Sequence, residues 1–318
     1  MVLARIIGTR NAGEMLHIGA EILRNGGSAI DAVEATVNAV ENNPLDQTVG
    51  YGGIPNLLGE VELDASIMDG RTLKAGAVAG IKHFKNPISI ARKVMENTPH
   101  ILLIGDGAEL FAEVMGFEKC ELLSERARII YDAFLRDTIQ ELDESFDRYK
   151  KYLAQYIKNF KLREWYEKLA AKQHGTVNVI AIDMQGNICV GVSTSGIALK
   201  LPGRVGDSAI IGAGNYADNR YGGAACTGRG ELTIRLSTAK SIVNYMKNGL
   251  SVKEACIQAI KDINSLGEKG GVNCIAIDSK GNPWAASNRR IPIYYYMDIE
   301  MEKPKELKGT LIQPTITS

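Results

Sequence analysis

The chain has 318 residues, 45% of them hydrophobic, and its 37 Lys+Arg balance 37 Asp+Glu. That length supports one large core or two modest ones. A neutral chain without long like-charge blocks is a poor match for a nucleic-acid backbone. No run approaches the roughly 20 apolar residues of a membrane span.

The start, MVLARIIGTRNAG, lacks the long apolar stretch and cleavage site of an export signal, so a soluble, cytoplasmic protein is expected. The five cysteines (120, 189, 226, 256 and 274) form no CxxC pair and read as reduced thiols, mostly buried. The four histidines lie far apart without HxxxH spacing, which argues against zinc. No metal and no cofactor is expected.

Glycine distribution divides the chain into three zones. In the first, up to about 117, Ser28-Ala-Ile-Asp31 has the form of a capping box with Asp in place of Glu. Ile30, Val33, Val37 and Val40 follow at helical spacing, and Pro44 stops the run. Val61 to Met68 alternates like a half-buried strand. Ile88–Met95 and Ala108–Met115 read as short helices. The second zone, 118–173, has no glycine and is rich in Lys, Glu, Asp and Tyr, which predicts a solvated helical excursion or linker. The third zone opens at His174. Val177–Asp183 is a nearly continuous apolar run, predicting a strand covered on both faces, and a second strand follows from Ile188 to Val192.

This unit recurs: Val272–Asp278 repeats Val177–Asp183 at six of seven positions, and each copy is followed after two residues by Gly-Asn. Between the copies, one helix is predicted over Glu231–Asn248, ending at Gly249. A second opens with the capping box Ser251-Val-Lys-Glu254. Strands, then helices, then strands suggest stacked sheets with helices outside.

Several stretches can carry chemistry. Ile104-Gly-Asp-Gly and Gly212-Ala-Gly-Asn fit neither GxGxxG nor GK[ST] and read as tight turns. No GxSxG is present, so a serine triad is discounted. Asp64 and Asp69 flank an apolar strand and read as structural, with a supporting role open. Thr176 stands directly before the buried strand. Its hydroxyl is a weak nucleophile unless a free α-amine on the same residue serves as base, and that amine exists only if the Gly175–Thr176 bond is cut. By itself the position reads as a strand start. Arg204 and Asp207 share a Gly-rich loop and suit the carboxylate and ammonium of an amino acid, the plain alternative being a surface ion pair. Cys226-Thr-Gly-Arg-Gly-Glu231 precedes a helix and offers a hydroxyl and backbone N–H groups to an oxyanion, or simply caps that helix.

Taken in order, Gly-Thr-Val (175–177), Ser-Thr-Ser-Gly (193–196), Pro-Gly-Arg-Val-Gly-Asp-Ser (202–208), Gly-Ala-Gly (212–214) and Thr-Gly-Arg-Gly-Glu (227–231) closely resemble the plant-type asparaginase and glycosylasparaginase family of N-terminal nucleophile hydrolases. Gly26–Glu34, Val49–Gly53 and Leu63–Gly70 share the likeness, which spans most of the chain outside 118–173.

The resemblance implies an α+β fold, a four-layer αββα sandwich made as one domain over 1–318 and self-cleaved into an α chain, 1–175, and a β chain, 176–318. The charged region 118–174 then ends the α chain. Thr176 would be the nucleophile, with Thr194 orienting it, and Thr227 and Gly228 N–H would form the oxyanion hole. Arg204 would take the substrate α-carboxylate and Asp207 its α-ammonium, with Gly230 leaving room for the ligand. The implied substrates are small molecules, L-asparagine and β-aspartyl peptides, and the implied assembly is a dimer of αβ heterodimers.

Gly175 is the residue found before the nucleophile in asparaginases, where glycosylasparaginases have Asp. Arg10 stands where the latter have a substrate-bordering Trp. Thr48-Val-Gly-Tyr-Gly-Gly, in contrast, is closer to glycosylasparaginases. Glycosylasparaginase is therefore the alternative reading, followed by an uncleaved homologue that only binds amino acids.

Overall fold

A computed structural model describes residues 3–132 and 175–314. The first part contains β1 (Arg5–Thr9), a 3-10 segment (Arg10–Met15), α1 (Leu16–Arg24), α2 (Ala29–Glu41), β2 (Leu63–Asp69), β3 (Ala75–Ile81), α3 (Pro87–Asn97), β4 (Leu102–Ile104) and α4 (Gly105–Val114). A further helix covers 125–132. The second part contains β5 (Val177–Ile182), β6 (Ile188–Thr194), β7 (Asn215–Asp218), β8 (Gly222–Gly228), α5 (Gly230–Leu236), α6 (Thr238–Lys247), α7 (Val252–Ser265), β9 (Val272–Asp278), β10 (Pro283–Ser287), β11 (Ile293–Asp298), β12 (Lys305–Lys308) and β13 (Thr310–Leu311).

The strands form two sheets. The larger runs β12-β11-β1-β5-β6-β2-β3-β4, and the smaller β13-β10-β9-β8-β7. Pairing is antiparallel except for β3 with β4 and β10 with β13.

Side chains alternate between two destinations along each central strand, as a period of two requires. Val179 and Ala181 of β5 pack under α1, α2 and α3 with Leu16, Val33, Val37 and Ile88. Ile180 and Ile182 point the other way and meet Ile275, Ile277 and Ala285 of the smaller sheet. The far side of that sheet, through Val272, Cys274 and Ala276, packs against Ile242, Ala259 and Ile260 of α6 and α7. This is the mixed α+β class expected from the sequence, and the two repeated segments serve as the central strands β5 and β9 of different sheets.

Local signals explain several boundaries. The Ser28 hydroxyl accepts the Asp31 N–H at 3.2 Å and starts α2. Ser251 and Glu254 cap each other reciprocally at the start of α7. Gly249, at φ +95, ends α6 where the sequence placed a stop.

Three expectations need correction. The helix expected over 231–248 is broken at Ser237, which sits in the left-handed region at φ 47 and separates α5 from α6. The strand expected to be half-buried, β2, is buried at all seven positions. Its polar side chains find partners inside the fold: Asp64 accepts Gly80 N–H at 2.9 Å through Oδ1 while its Oδ2 lies 4.0 Å from Lys200 Nζ, Ser66 donates to Ser208 O, and Asp69 accepts the Thr72 hydroxyl at 2.6 Å. Finally, the start of the charged zone is helical over 125–132 and exposes many side chains, as expected, but it is also anchored to the body of the fold. Leu122 O accepts Gly52 N–H at 2.9 Å, and the buried Tyr131 hydroxyl donates to Leu57 O at 3.0 Å. The rest of that zone, 133–174, lies outside the described residues.

Cys189, Cys226, Cys256 and Cys274 are buried free thiols, and Cys120 is partly buried. Among the described residues, no helix is long and apolar enough to cross a membrane.

Candidate active site

Thr176 immediately precedes β5, in the middle of the larger sheet between β1 and β6. It is 7% exposed. The neighbouring strand ends fix its surroundings. From β1, the Thr9 hydroxyl accepts the Asn178 N–H at 3.0 Å and donates to Asn11 Oδ1 at 2.8 Å. From β6, Ser193 lies opposite Val177, which sets Thr194 at the level of the Gly175–Thr176 bond.

The Thr194 hydroxyl donates to the Gly175 carbonyl oxygen at 2.8 Å and accepts the Gly196 N–H at 2.9 Å. The second bond turns the hydroxyl proton toward Gly175. A donor on that oxygen polarises the carbonyl of the bond expected to be cut and is placed to hold a developing oxyanion.

Gly175 is glycine for a steric reason. A Cβ there would lie 2.3 Å from Thr48 Oγ1. Thr48 is itself held by Asp46, whose Oδ1 accepts both its N–H at 2.9 Å and its hydroxyl at 2.6 Å. The other Asp46 oxygen accepts Asn11 Nδ2 at 2.8 Å. The segment 46–48 thus forms a braced wall against which only glycine fits.

Thr227 reaches the site from β8 of the smaller sheet. Asn178 of β5 spans the gap and donates through Nδ2 to Thr227 Oγ1 at 2.7 Å and to Cys226 O at 3.0 Å. Because the Thr227 hydroxyl accepts from Asn178, its own proton is free to be donated elsewhere. Gly228 has φ +130, and a Cβ on it would lie 2.1 Å from Gly271 O, so the turn that presents its N–H admits only glycine.

Gly175, Thr176 and Thr227 line one cavity of about 460 Å³ together with Thr9, Asn11, Asp46 and Thr48. Arg204 and Asp207 do not line it. They form a neighbouring cluster at the start of α5. Arg204 donates from Nε at 3.1 Å and Nη2 at 2.9 Å to Glu231 Oε1, so among the described residues it bonds to Glu231 and not to Asp207. Burial raises the Glu231 carboxyl, but the Arg204 guanidinium outweighs it and holds the group below the usual carboxylate range.

Asp207 is 3% exposed and accepts the Thr233 hydroxyl at 2.7 Å. Burial pushes its carboxyl up to about 6, against the lowering effects of Thr233 and Arg204. A buried carboxylate with so little compensation is poised to take a cation. At Gly230, a Cβ would lie 2.7 Å from Asp207 N and 3.0 Å from its Oδ1, so glycine there lets the Asp207 loop close on α5.

Sequence reasoning missed Asn178, Thr9, Thr48, Asp46 and Thr233. Asn178 was the lone polar residue in an otherwise apolar strand, and that was the available signal.

Comparison with known proteins bears on the family of the chain. A family model described as Asparaginase matches residues 8–303. A plant-type L-asparaginase of Pyrococcus horikoshii is 40% identical over 92% of this chain and 90% of its own. An N(4)-(β-N-acetylglucosaminyl)-L-asparaginase of Elizabethkingia miricola is 40% identical, covering 87% of this chain and 76% of its own. An isoaspartyl peptidase/L-asparaginase of Mus musculus is 38% identical over 84% of this chain and 74% of its own. With a family model matched over residues 8–303, the chain belongs to the asparaginase family.

Proposed function

We propose that the chain is a hydrolase that cleaves itself at Gly175–Thr176 and then hydrolyses the side-chain amide of L-asparagine and the isopeptide bond of β-aspartyl peptides. The observation that carries this reading is the Thr194 hydroxyl on the Gly175 carbonyl, beside a buried Thr176. Relatives named as L-asparaginases and isoaspartyl peptidases support the substrate class.

In the first reaction, Thr176 Oγ adds to the Gly175 carbonyl carbon. The bond from that carbon to Thr176 N breaks, and the nitrogen takes the hydroxyl proton. The resulting ester is hydrolysed by water, leaving a Gly175 carboxylate and a free amine on Thr176.

In the second reaction, that amine, with an ordinary pKa of about 7.7–8, takes the proton of its own hydroxyl. Thr176 Oγ attacks the substrate's amide carbon while Thr227 and Gly228 N–H hold the oxyanion. The leaving amine recovers the proton, and water releases L-aspartate from the ester. Arg204, oriented by Glu231, grips the α-carboxylate, and Asp207 takes the α-ammonium. The αββα sandwich of N-terminal nucleophile hydrolases is part of the same reading, supported by the packing of the two sheets on each other and of helices on their outer faces. So is the pairing of two αβ units, on family resemblance.

The test is a denaturing gel followed by an assay. Two bands are expected, one starting Thr-Val-Asn-Val, with release of ammonia from asparagine and of free amino acid from β-aspartyl dipeptides. A persistent intact chain that hydrolyses none of these substrates overturns the reading. Glycosyl-asparagine, assayed in parallel, separates the two amidase branches.

A further inference from the structure

A lysine is buried under the loop that carries Arg204. Lys200 is 1% exposed, a rare state for an ammonium unless it is paired. Its Nζ donates to Glu62 O at 3.1 Å and lies 3.8 Å from Glu62 Oε2 and 4.0 Å from Asp64 Oδ2. The Glu62 carboxylate also holds the loop further along. Its Oε1 and Oε2 accept the Gly203 N–H at 3.0 and 3.2 Å, and Gly203 directly precedes Arg204. Two backbone bonds of 3.0 Å, Leu199 N–H to Pro55 O and Leu57 N–H to Lys200 O, tie the start of the loop to the segment before β2.

The backbone leading to this lysine is held in a costly shape. Leu199 has φ 55, a left-handed conformation that a leucine keeps only where its surroundings impose it. Gly196 admits the lysine stem, since a Cβ there would lie 2.9 Å from Lys200 Cδ. The Gly196 N–H is the donor that fixes the Thr194 hydroxyl at 2.9 Å. The stem of Lys200 therefore packs against the support of Thr194, while its ammonium holds the support of Arg204. A buried ion pair adds little net stability over apolar residues of the same size. What it supplies here is a fixed geometry.

Resting on the reading that Arg204 grips the substrate α-carboxylate, we infer that Lys200 is a positioning residue for that grip. The ammonium fixes Glu62, and Glu62 fixes the Gly203 N–H and with it the point from which Arg204 extends. Glu62 lies before the Gly175–Thr176 bond, and Lys200 and Arg204 lie after it. Under the proposed cleavage, the pair braces one piece against the other where the substrate's carboxylate is held.

The experiment uses full-length protein. Lys200→Met keeps an unbranched stem against Gly196 and removes the ammonium. It also strands two buried carboxylates, so Lys200→Met/Asp64→Asn is made beside it, which retains the formal charge of the native cluster. In both, kcat for asparagine and the rate of self-cleavage are expected to stay within about twofold of wild type while KM rises on the order of tenfold, the pattern of lost uniform binding. Arg204→Met is expected to raise KM as well, and adding Lys200→Met to it is expected to raise KM no further, because the lysine acts through the arginine. An unchanged KM in the lysine variants overturns the inference. So does the same further rise in KM when the lysine is replaced in the Arg204→Met chain, or a loss of kcat and self-cleavage in parallel with stability. Two lysine variants that both fail to fold assign Lys200 to stability alone and overturn it too. An Arg204→Met enzyme with wild-type KM instead removes the clamp assignment, a distinct failure that takes the inference with it.

Discussion

Thr194 and Gly175 are joined by a hydrogen bond of 2.8 Å from hydroxyl to carbonyl, across the bond that precedes the buried Thr176. The same hydroxyl is fixed by the Gly196 N–H at 2.9 Å, so the donor is aimed before any reaction begins. Thr194→Val removes it while keeping the side chain's shape. Self-cleavage is expected to slow by about 10²–10³-fold, the usual effect of losing one oxyanion donor. Thr194→Ser is expected to restore most of the rate. A time course of band conversion by mass spectrometry measures both, and a valine variant that processes at the wild-type rate rules out this role.

Gly175→Ala places a methyl against Thr48, where a Cβ would be 2.3 Å from Oγ1. Overpacking of this kind costs about 1–3 kcal/mol. Lower thermal stability of the precursor and altered processing are expected, and Thr48→Ala in the same chain is expected to relieve the stability loss. The double variant matters most, because relief that fails to appear means that the clash is not with Thr48.

Asn178→Ala removes the donor that holds Thr227 across the two sheets at 2.7 Å. The Thr227 hydroxyl can then rotate, so its donation to an oxyanion is no longer enforced. A fall in kcat with a smaller change in KM is expected in steady-state assays with asparagine. A change confined to KM argues that Thr227 binds the ground state equally well.

Ligand binding should titrate with Asp207, whose carboxyl is pushed by burial up to about 6. Below that pH the group is neutral and cannot pair with an ammonium. Affinity for L-aspartate is expected to fall roughly tenfold per pH unit as pH drops below about 6, and to level off above it. Thr233→Val removes a hydroxyl that donates to Asp207 Oδ2 at 2.7 Å and favours ionisation, so the inflection is expected to move upward. Calorimetric titrations between pH 5 and pH 7 check this; a flat affinity excludes Asp207 as the ammonium partner.

A second buried acid reports on stability. Burial pushes Glu41 up to about 8, although it accepts Ile88 N–H at 3.1 Å. Its folded value exceeds the ordinary one of about 4.3, so the folded state binds the extra proton between those values. Stability should therefore decline as pH rises from about 4.3 to about 8 through this group. Glu41→Gln carries no such proton, and its melting temperature relative to wild type is expected to climb over that range. A constant difference would contradict the assignment.

What the sequence revealed followed the range of the interactions involved. Caps at Ser28 and Ser251 and the alternation of β5 depend on residues close in the chain, and these were legible. The break at Ser237 was not, because its left-handed conformation is marked by neither Gly nor Pro. The burial of β2 was also hidden. Asp64 and Ser66 imitate a solvent face, and their partners at Gly80 and Ser208 include one 142 positions away. Within the candidate site, the motifs pointed to Thr176, Arg204, Asp207 and Thr227. Their supports from Asn178, Thr48 and Asp46 depend on strand register and on contacts between distant segments, which motif spacing does not encode.

The order of strands in the larger sheet has a consequence for the life history of the protein. β1 sits between β11 and β5, both on the far side of the Gly175–Thr176 bond, while β6 is flanked by β5 and by β2 from the near side. Severing that bond, as proposed, would yield two pieces woven through each other in the larger sheet, while the smaller sheet lies wholly in the second piece. The uncut chain can reach this weave as one molecule, with every strand tethered to its neighbours. Two denatured fragments would instead have to meet and thread β1 back into an occupied row. Under the proposed cleavage, assembly would therefore be a one-way event, because only the uncut chain holds every strand of the larger sheet on one molecule.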